Sequence, residues 1–296
     1  TGAIERPLVF PNNDRPGVML ASAVSTYLNR YGVVSGTQPL IFTNNDSAYQ
    51  TALDLDAAGN SVVAVVDVRS EPSGTLPTKV RERGIPIIGG HAVVDVHGGN
   101  RVKSVDIMPL DFAGKKVKGS VRKINCDLVP TSGGWNPSVH LHCQSGGKTR
   151  FDISKSCFVP WKSFQSEISV GSSNGSFTLK ECLSEGLSAG SIVSDKTGFS
   201  NNGTLVECPT VSEEGEEPLR TMWLVPSRLP GRREHKQFVD LQEDVTVGDI
   251  IIAVSEGYDA IPLLSRYTYL GRGTDQGKIG NVNGMGILGE ILGQDI

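Results

Sequence analysis

The chain has 296 residues, 38% hydrophobic and 20% charged, with 35 glycines, a composition that suits one large globular domain or two. Its formal charge of −4 and pI near 5.8 supply no strong positive field, which argues against binding to a nucleic-acid backbone. No apolar run approaches the roughly 20 residues that span a bilayer, and the five cysteines form no Cys-x-x-Cys pair, which excludes a zinc ribbon and a redox-active dithiol turn. Wide, odd-numbered cysteine spacing leads us to expect reduced thiols and a cytoplasmic protein.

In chain order, Thr1-Gly2-Ala3 reads as a strand-to-loop exit, so a piece of a longer chain is expected. Met19, Ala23, Val24, Tyr27 and Leu28 recur at helical spacing and predict an amphipathic helix from about Val18 to Tyr31. Pro39 to Ser70 has the outline of a nucleotide-binding βαβ unit, with a second strand ending at Asp67. Where such a unit carries Gly-x-Gly-x-x-Gly, this one has Thr43-Asn44-Asn45-Asp46-Ser47-Ala48. A Cβ and the Asp46 charge then stand where a pyrophosphate would approach, so the unit is expected to keep its shape without a ligand. Asp67 is correspondingly expected to be a surface carboxylate at a strand end. A third strand is predicted near Ile85–Ile88, followed by a hairpin of "HAVVDVHG" and "RVKSVDIMPL" turning at Gly98-Gly99-Asn100.

The segment "KINCDLVPTSGG" reads as one strand bearing Asp127 near its end. Gly133 and Gly134 follow it, at the sheet edge where nucleotides sit in open α/β folds. His140-x-His142 on a strand would share one face, yet no second cluster of ligands supports a metal. "QSGGKT" has His142 where a phosphate loop needs glycine, and no Gly-x-Ser-x-Gly elbow is present for serine hydrolysis. Gly171 and Gly175 precede a helix predicted near Phe177–Ala189. Its N-terminal N–H groups can face a cofactor, or the segment is a plain turn. After a charged, proline-bearing stretch, "DVTVGDIIIAVSEGY" is a helix with Thr246 as N-cap and Asp249 closing a capping box. "GRGTDQGK" is a glycine-rich turn presenting Arg272, Thr274 and Lys278, read either as a helix–helix connection or as an anion or flavin-phosphate contact.

The order of these segments resembles two-lobe flavoprotein reductases of the pyridine nucleotide-disulfide reductase type, in which one dinucleotide lobe is interrupted by a second. "FPNNDRPG", "FTNNDSAY", "SGGWNPSVHLHCQSGG", "FVDLQEDVT" and "TDQGKIGNVNG" are similar to the alpha subunits of heterotetrameric sarcosine oxidases. That resemblance implies an α/β fold with 1–38 as the tail of the first lobe and 39–118 as an inserted second lobe. Residues 119–205 return to the first lobe, 206–236 form a linker, and 237–296 a small helical module.

The resemblance also implies a multisubunit enzyme that oxidises sarcosine with O2 to glycine, H2O2 and a folate-bound one-carbon unit. FAD lies in the beta subunit, FMN at the alpha–beta interface, and NAD in the alpha subunit, with gamma and delta subunits completing the assembly. Carried to matching positions, the NAD contacts are Ser172, Phe177 and Leu179 with Gly171 beside them and Thr1 and Gly2 flanking, and Gly133 and Gly134 join them as cofactor-site residues from the sheet-edge reading. Arg272, Thr274 and Lys278 are expected at a flavin or partner interface. No catalytic residue or metal ligand is expected in this chain, which by itself should be inactive. The helical module resembles the [2Fe–2S] domain of related amine and proline dehydrogenases, but Asp240, Gln242, Asp275 and Gly280 stand at the cysteine positions, so no Fe–S cluster is expected. The alternative is a fragment of a stand-alone NAD- or FAD-dependent reductase, or of a related amino-acid dehydrogenase subunit.

Overall fold

A computed structural model describes residues 2–199, 207–211, 217–226, 228 and 236–296. In chain order the elements are β1 Ala3–Glu5, β2 Val18–Leu20, α1 Ala21–Tyr31, β3 Leu40–Thr43, α2 Ser47–Ala57, β4 Ala64–Asp67, α3 Thr75–Glu82 and β5 Ile87–Gly89. They continue with β6 His91–Gly98, β7 Val102–Pro109, β8 Arg122–Asn125, β9 Val129–Ser132, β10 Trp135–Pro137, α4 His140–Gln144, β11 Lys148–Asp152 and β12 Cys157–Lys162. The last are α5 Leu179–Lys196, β13 Phe238–Asp240, β14 Val245–Thr246, α6 Val247–Ser255, α7 Ile261–Thr268 and α8 Asn281–Leu292. They fall into two compact units, one of 1–4 with 135–215 and a larger one of 5–134 with 216–296. These boundaries cut across the segments expected from sequence.

The larger unit is built on a parallel sheet ordered β2-β9-β3-β4-β5. Strand alternation sends successive side chains to opposite faces. Ile41 and Val65 pack with Ala48, Tyr49, Ala52, Leu76 and Val80 of α2 and α3. Leu40, Phe42 and Val66 point the other way, into the core shared with Val93, Val96, Val105 and Ile107 of the antiparallel sheet β6-β7-β8. The result is three layers: helices, parallel sheet, antiparallel meander. Each fully buried aliphatic side chain contributes roughly 1.5–3 kcal/mol. The same unit holds the β13–β14 pair and α6–α8, with α6 packed on both α7 and α8.

Two sequence expectations are corrected here. Val18–Leu20 is a strand, not the first turn of a helix, because it pairs in parallel register with Val129–Thr131. α1 starts at Ala21. "KINCDLVPTSGG" is two strands in different sheets, β8 at the edge of the meander and β9 inside the parallel sheet. Asp127 therefore lies at the start of β9, on the side opposite Gly133–Gly134. Its carboxylate accepts from Thr37 N, Thr37 Oγ1 and Gln38 N at 2.7–2.9 Å and shapes the entry to β3.

In the smaller unit β1 pairs with β10, and β11 with β12 in antiparallel register. His140–Gln144 is a single turn of helix rather than a strand, so its two histidines do not share a strand face. α5 begins at Leu179, later than expected, and runs on to Lys196. Its N-cap is a capping box: Thr178 Oγ1 accepts from Glu181 N, and the Glu181 carboxylate takes the Thr178 N–H back. None of the eighteen residues of α5 is buried.

Candidate functional site

In an open parallel sheet, ligands bind beyond the carboxyl ends of the strands. In the larger unit that edge is made by the loops after β3, β4 and β9, and the side chains of Asn44, Asn45 and Ser47 there are engaged by the protein's own chain. Asn45 forms an Asx turn, its Oδ1 accepting from Ser47 N at 3.0 Å and Ser47 Oγ at 2.6 Å, while its Nδ2 donates to Ser132 Oγ at 3.0 Å. Asn44 Nδ2 donates to the carbonyls of Gly133 and Arg220. The glycine-free loop is thus a closed hydrogen-bonded knot, which explains how it tolerates side chains where a dinucleotide site needs none.

A strap, residues 217–225, crosses this edge. Glu217 N donates to Asp46 Oδ2 at 2.9 Å, and the Glu217 carboxylate accepts from Ser73 N and Ser73 Oγ. Arg220 N donates to Asn44 O, and its guanidinium donates to Val68 O at 3.0 Å and Phe112 O at 2.6 Å. Met222 and Val225 then enter the core, and Val225 N donates to Val9 O. Backbone of the strap thus covers the carboxyl edge of the sheet.

Asp67 is not the surface carboxylate that its strand-end position suggests: it is 0% exposed. Tyr49 Oη donates to it at 2.8 Å, and Arg69 clamps it through Nε and Nη2 while pairing with Asp46 at 2.7 Å. Burial raises the Asp67 carboxyl, opposed chiefly by Arg69. The Tyr49 hydroxyl is raised by burial and then by Asp67. Burial works against the Arg69 charge, but the two carboxylates outweigh it and hold the guanidinium protonated. A second anion position, the N-terminus of α1, is filled by Glu5, whose carboxylate accepts from Ser22 N at 2.8 Å. Burial raises its pKa, with Ser22 and Ser132 opposing. The residues present at this edge do not fit a dinucleotide.

Gly133 and Gly134 belong to the same packing. Gly133 N donates to Arg6 O, Arg6 N donates to Gly134 O, and Arg6 Nε donates to Gly133 O at 2.8 Å. A Cβ on Gly133 would come within 2.7 Å of Pro7 O, so this glycine is needed for close backbone approach.

The other expected NAD residues lie in the smaller unit, except Thr1, which is outside the described residues. The structure brings Gly2 and Ser172 together: a Cβ at Gly2 would stand 3.7 Å from Ser172 Oγ. Gly171 and Ser172 form a 3-10 turn before α5, followed by Phe177 and Leu179, the latter 62% exposed. Gly171 N donates to Glu185 Oε2 at 2.7 Å, and Glu185 Oε1 accepts from Ser176 Oγ at 2.5 Å. With the capping box, these bonds engage donors that the sequence suggested would face a ligand. The space at Gly2, the Ser172 hydroxyl and the exposed Leu179 fit the edge of a site.

In the helical module, Asp240, Gln242, Asp275 and Gly280 converge. Asp240 accepts from Gln242 N at 2.9 Å and Gly271 N at 2.9 Å, and Gln242 Oε1 accepts from Thr274 Oγ1 at 2.9 Å and Asp275 N at 3.1 Å. Asp275 accepts from Gly277 N and Ile279 N, while a Cβ on Gly280 would press on Val239 O at 2.8 Å. The loop is closed by oxygen acceptors and backbone N–H groups, a donor set that offers no thiolate to iron. Arg272 is exposed, with Nε on Ser265 O and its guanidinium over the Tyr269 ring. Thr274 is exposed and Lys278 half-buried.

Sequence reasoning missed one further cluster. Asp95, His97 and Asp106 place ligand atoms within 4.8 Å of one another on β6 and β7. Arg228 lies across them, pairing with Asp95 at 2.8 Å and Asp106 at 2.9 Å, so a guanidinium already neutralises the group. Alternation along β6 was the signal available. Arg228, more than a hundred residues away, gave none.

Residues 234–296 match the family model described as the sarcosine oxidase A3 domain. Over 296 residues the chain is 37% identical to sarcosine oxidase subunit alpha of Corynebacterium sp. (strain P-1), covering 99% of this chain and 30% of that protein. It is also 37% identical over 299 residues to the subunit alpha of Rhizobium meliloti (strain 1021), covering 99% of this chain and 28% of that one. The chain thus spans under a third of the length of these relatives. Among solved structures, L-proline dehydrogenase from P. horikoshii superposes with a TM-score of 0.64 at 18% identity, over 100% of this chain and 53% of that one. That likeness establishes the α/β dinucleotide-binding architecture.

Proposed function

We propose, from the premise that this chain is homologous to sarcosine oxidase alpha subunits along nearly its whole length, that it is the part of such a subunit that scaffolds cofactor binding and subunit contacts rather than performing chemistry. The enzyme it serves oxidises sarcosine with O2 to glycine and H2O2 and passes a one-carbon unit to folate. The flavins, FAD in the beta subunit and FMN at the interface, supply the redox chemistry when bound. Arg272, Thr274 and Lys278 face the FMN-bearing interface, where the two cations balance phosphate charge. NAD is held at the edge of the smaller unit, with Gly2, Gly171, Ser172, Phe177 and Leu179 lining its near side. The 39–118 region is the inserted lobe, which keeps its shape without a ligand, and 237–296 is a helical module held by hydrogen bonds in place of a cluster.

The observation that carries this reading is α5. An 18-residue helix with no fully buried residue, tied down only near its N-terminus, has little packing to stabilise it. Leu179, Leu183, Leu187 and Val193 along it need a covering surface that further alpha-subunit polypeptide would provide. The experiment is assembly of the full-length protein with beta, gamma and delta subunits, assayed for peroxide with sarcosine, beside NAD titration of the chain alone. Sarcosine-dependent peroxide from the assembly and none from the chain alone is expected. NAD density at Asn44–Asp46, or full activity after deletion of 179–196, would overturn the reading.

A further inference from the structure

The meander sheet of the larger unit ends in a feature that neither the core nor the cofactor reading uses. Between β7 and β8 the chain turns back through 110–121, and the turn is rigidly made. Asp111 N donates to Lys116 O at 2.8 Å and Lys118 N to Pro109 O at 2.8 Å. The Asp111 carboxylate accepts from Lys115 N and Lys116 N. The strap locks it from below: Arg220 donates to Phe112 O, and its guanidinium lies so close to Gly114 that a Cβ there would come within 2.7 Å. On this fixed turn the Phe112 side chain is 100% exposed.

Its surroundings are predominantly basic. Lys115, Lys116 and Lys118 follow it and are exposed, and β8 adds exposed Arg122 and Lys123 at the open edge of the sheet. Against these stand Asp111, folded back into its own turn, Asp106, opposite Lys123 on β7 but buried and paired with Arg228, and Glu290 of α8, which feels the charge of Lys115. The chain as a whole is acidic, at −4, so this concentration of positive charge runs against its composition. Lysines on an edge strand commonly guard against stray pairing, but that does not account for a wholly exposed phenylalanine held on a preorganised turn. Fixed aromatic anchors ringed by charge are the anatomy of a protein-binding hot spot. A nucleic-acid partner is disfavoured by the net acidic field.

We infer that the Phe112 turn, with Lys115, Lys116, Lys118, Arg122 and Lys123, is a docking surface for an acidic face of a partner protein. Phe112 enters an apolar pocket and the basic residues steer and orient the approach. The inference rests on the sarcosine oxidase reading only for the identity of that partner, one of the other subunits.

Two variants test it, Phe112→Ala and the triple K115E/K116E/K118E, each checked by circular dichroism for a retained fold. In the full-length protein co-expressed with beta, gamma and delta subunits, Phe112→Ala should weaken assembly about 30-fold. The charge reversal should abolish it, and wild-type assembly should weaken with salt. Assembly of both variants at wild-type strength overturns the inference. If the wild type does not assemble with these subunits, the sarcosine oxidase reading fails. The surface is then judged with poly-glutamate as probe: salt-sensitive binding lost in the triple variant sustains it, and no binding, or tighter binding to a single-stranded RNA, overturns it.

Discussion

Arg69 shows what a single residue decides in this protein. It pairs with Asp67 and Asp46, both buried, and removing it leaves two carboxylates uncompensated in the interior. Arg69→Ala should destabilise the chain by about 3–5 kcal/mol, the range for breaking a buried ion pair from one side. Urea unfolding monitored at the larger unit measures this, and a loss below about 1 kcal/mol would show that the network relaxes into water. The importance of Asp67 was not legible in the sequence, because a carboxylate at a strand end is ordinarily solvated and nothing local marks it otherwise. Tyr49 and Arg69 were both in view, but only the packing of α2 against β4 brings the three together. The consequence of the missing glycines was legible in the Thr43–Ala48 stretch itself, since a Cβ blocks a pyrophosphate wherever the rest of the chain goes.

Among elements, those set by local chemistry were readable and those set by register were not. The capping box at Thr246–Asp249 needs four neighbouring residues, and α6 begins there. β9 needed partners from residues 18 and 42, and the run 123–134 contains nothing that separates it from β8. Helix α4 was misread as a strand for a related reason. His142 is fixed by distant acceptors, with Nδ1 facing Glu167 Oε1 at 2.7 Å and Nε2 facing Lys148 O at 2.9 Å. Acceptors on both nitrogens favour the doubly protonated ring. The Lys148 carbonyl raises its pKa most, burial opposes, and Glu167 adds to the rise. A raised folded-state pKa gives a stabilisation that is full below the unfolded value, about 6.5, and is lost as pH rises through the folded value. The tether of α4 should therefore loosen above about pH 6.5. Histidine chemical shifts followed across this range check it. A His142 that titrates at or below the free-peptide value would refute it, and His142→Gln should remove the pH dependence of local protection, taken relative to the intrinsic exchange rate at each pH.

At the scale of the molecule, the two units differ in how they are held. The larger unit has a three-layer core, whereas α5 of the smaller has no buried residue. Hydrogen–deuterium exchange should therefore find α5 amides exchanging at least about 100-fold faster than those of β3 and β4 in the isolated chain, since opening an unpacked helix requires little free energy. Protection of α5 should rise in the assembled full-length protein. Equal protection in the isolated chain would mean that α5 is already covered. The α/β class was evident from the alternation of apolar runs. The division at 134/135 was not, because the chain leaves and re-enters each unit, and no composition change marks that crossing.

The strap has a consequence for how the polypeptide is born. β9, the strand between β2 and β3, is made after the whole meander, and residues 217–225 follow almost a hundred residues later. A ribosome releasing this chain first exposes a sheet with a gap between β2 and β3, then one whose carboxyl edge is bare. The charges of Asp46 and the apolar seats of Met222 and Val225 wait uncovered throughout. Nascent chains stalled before Val225 should be the species that chaperones hold and proteases cut, and completion of the strap is the step at which the larger unit becomes resistant to both.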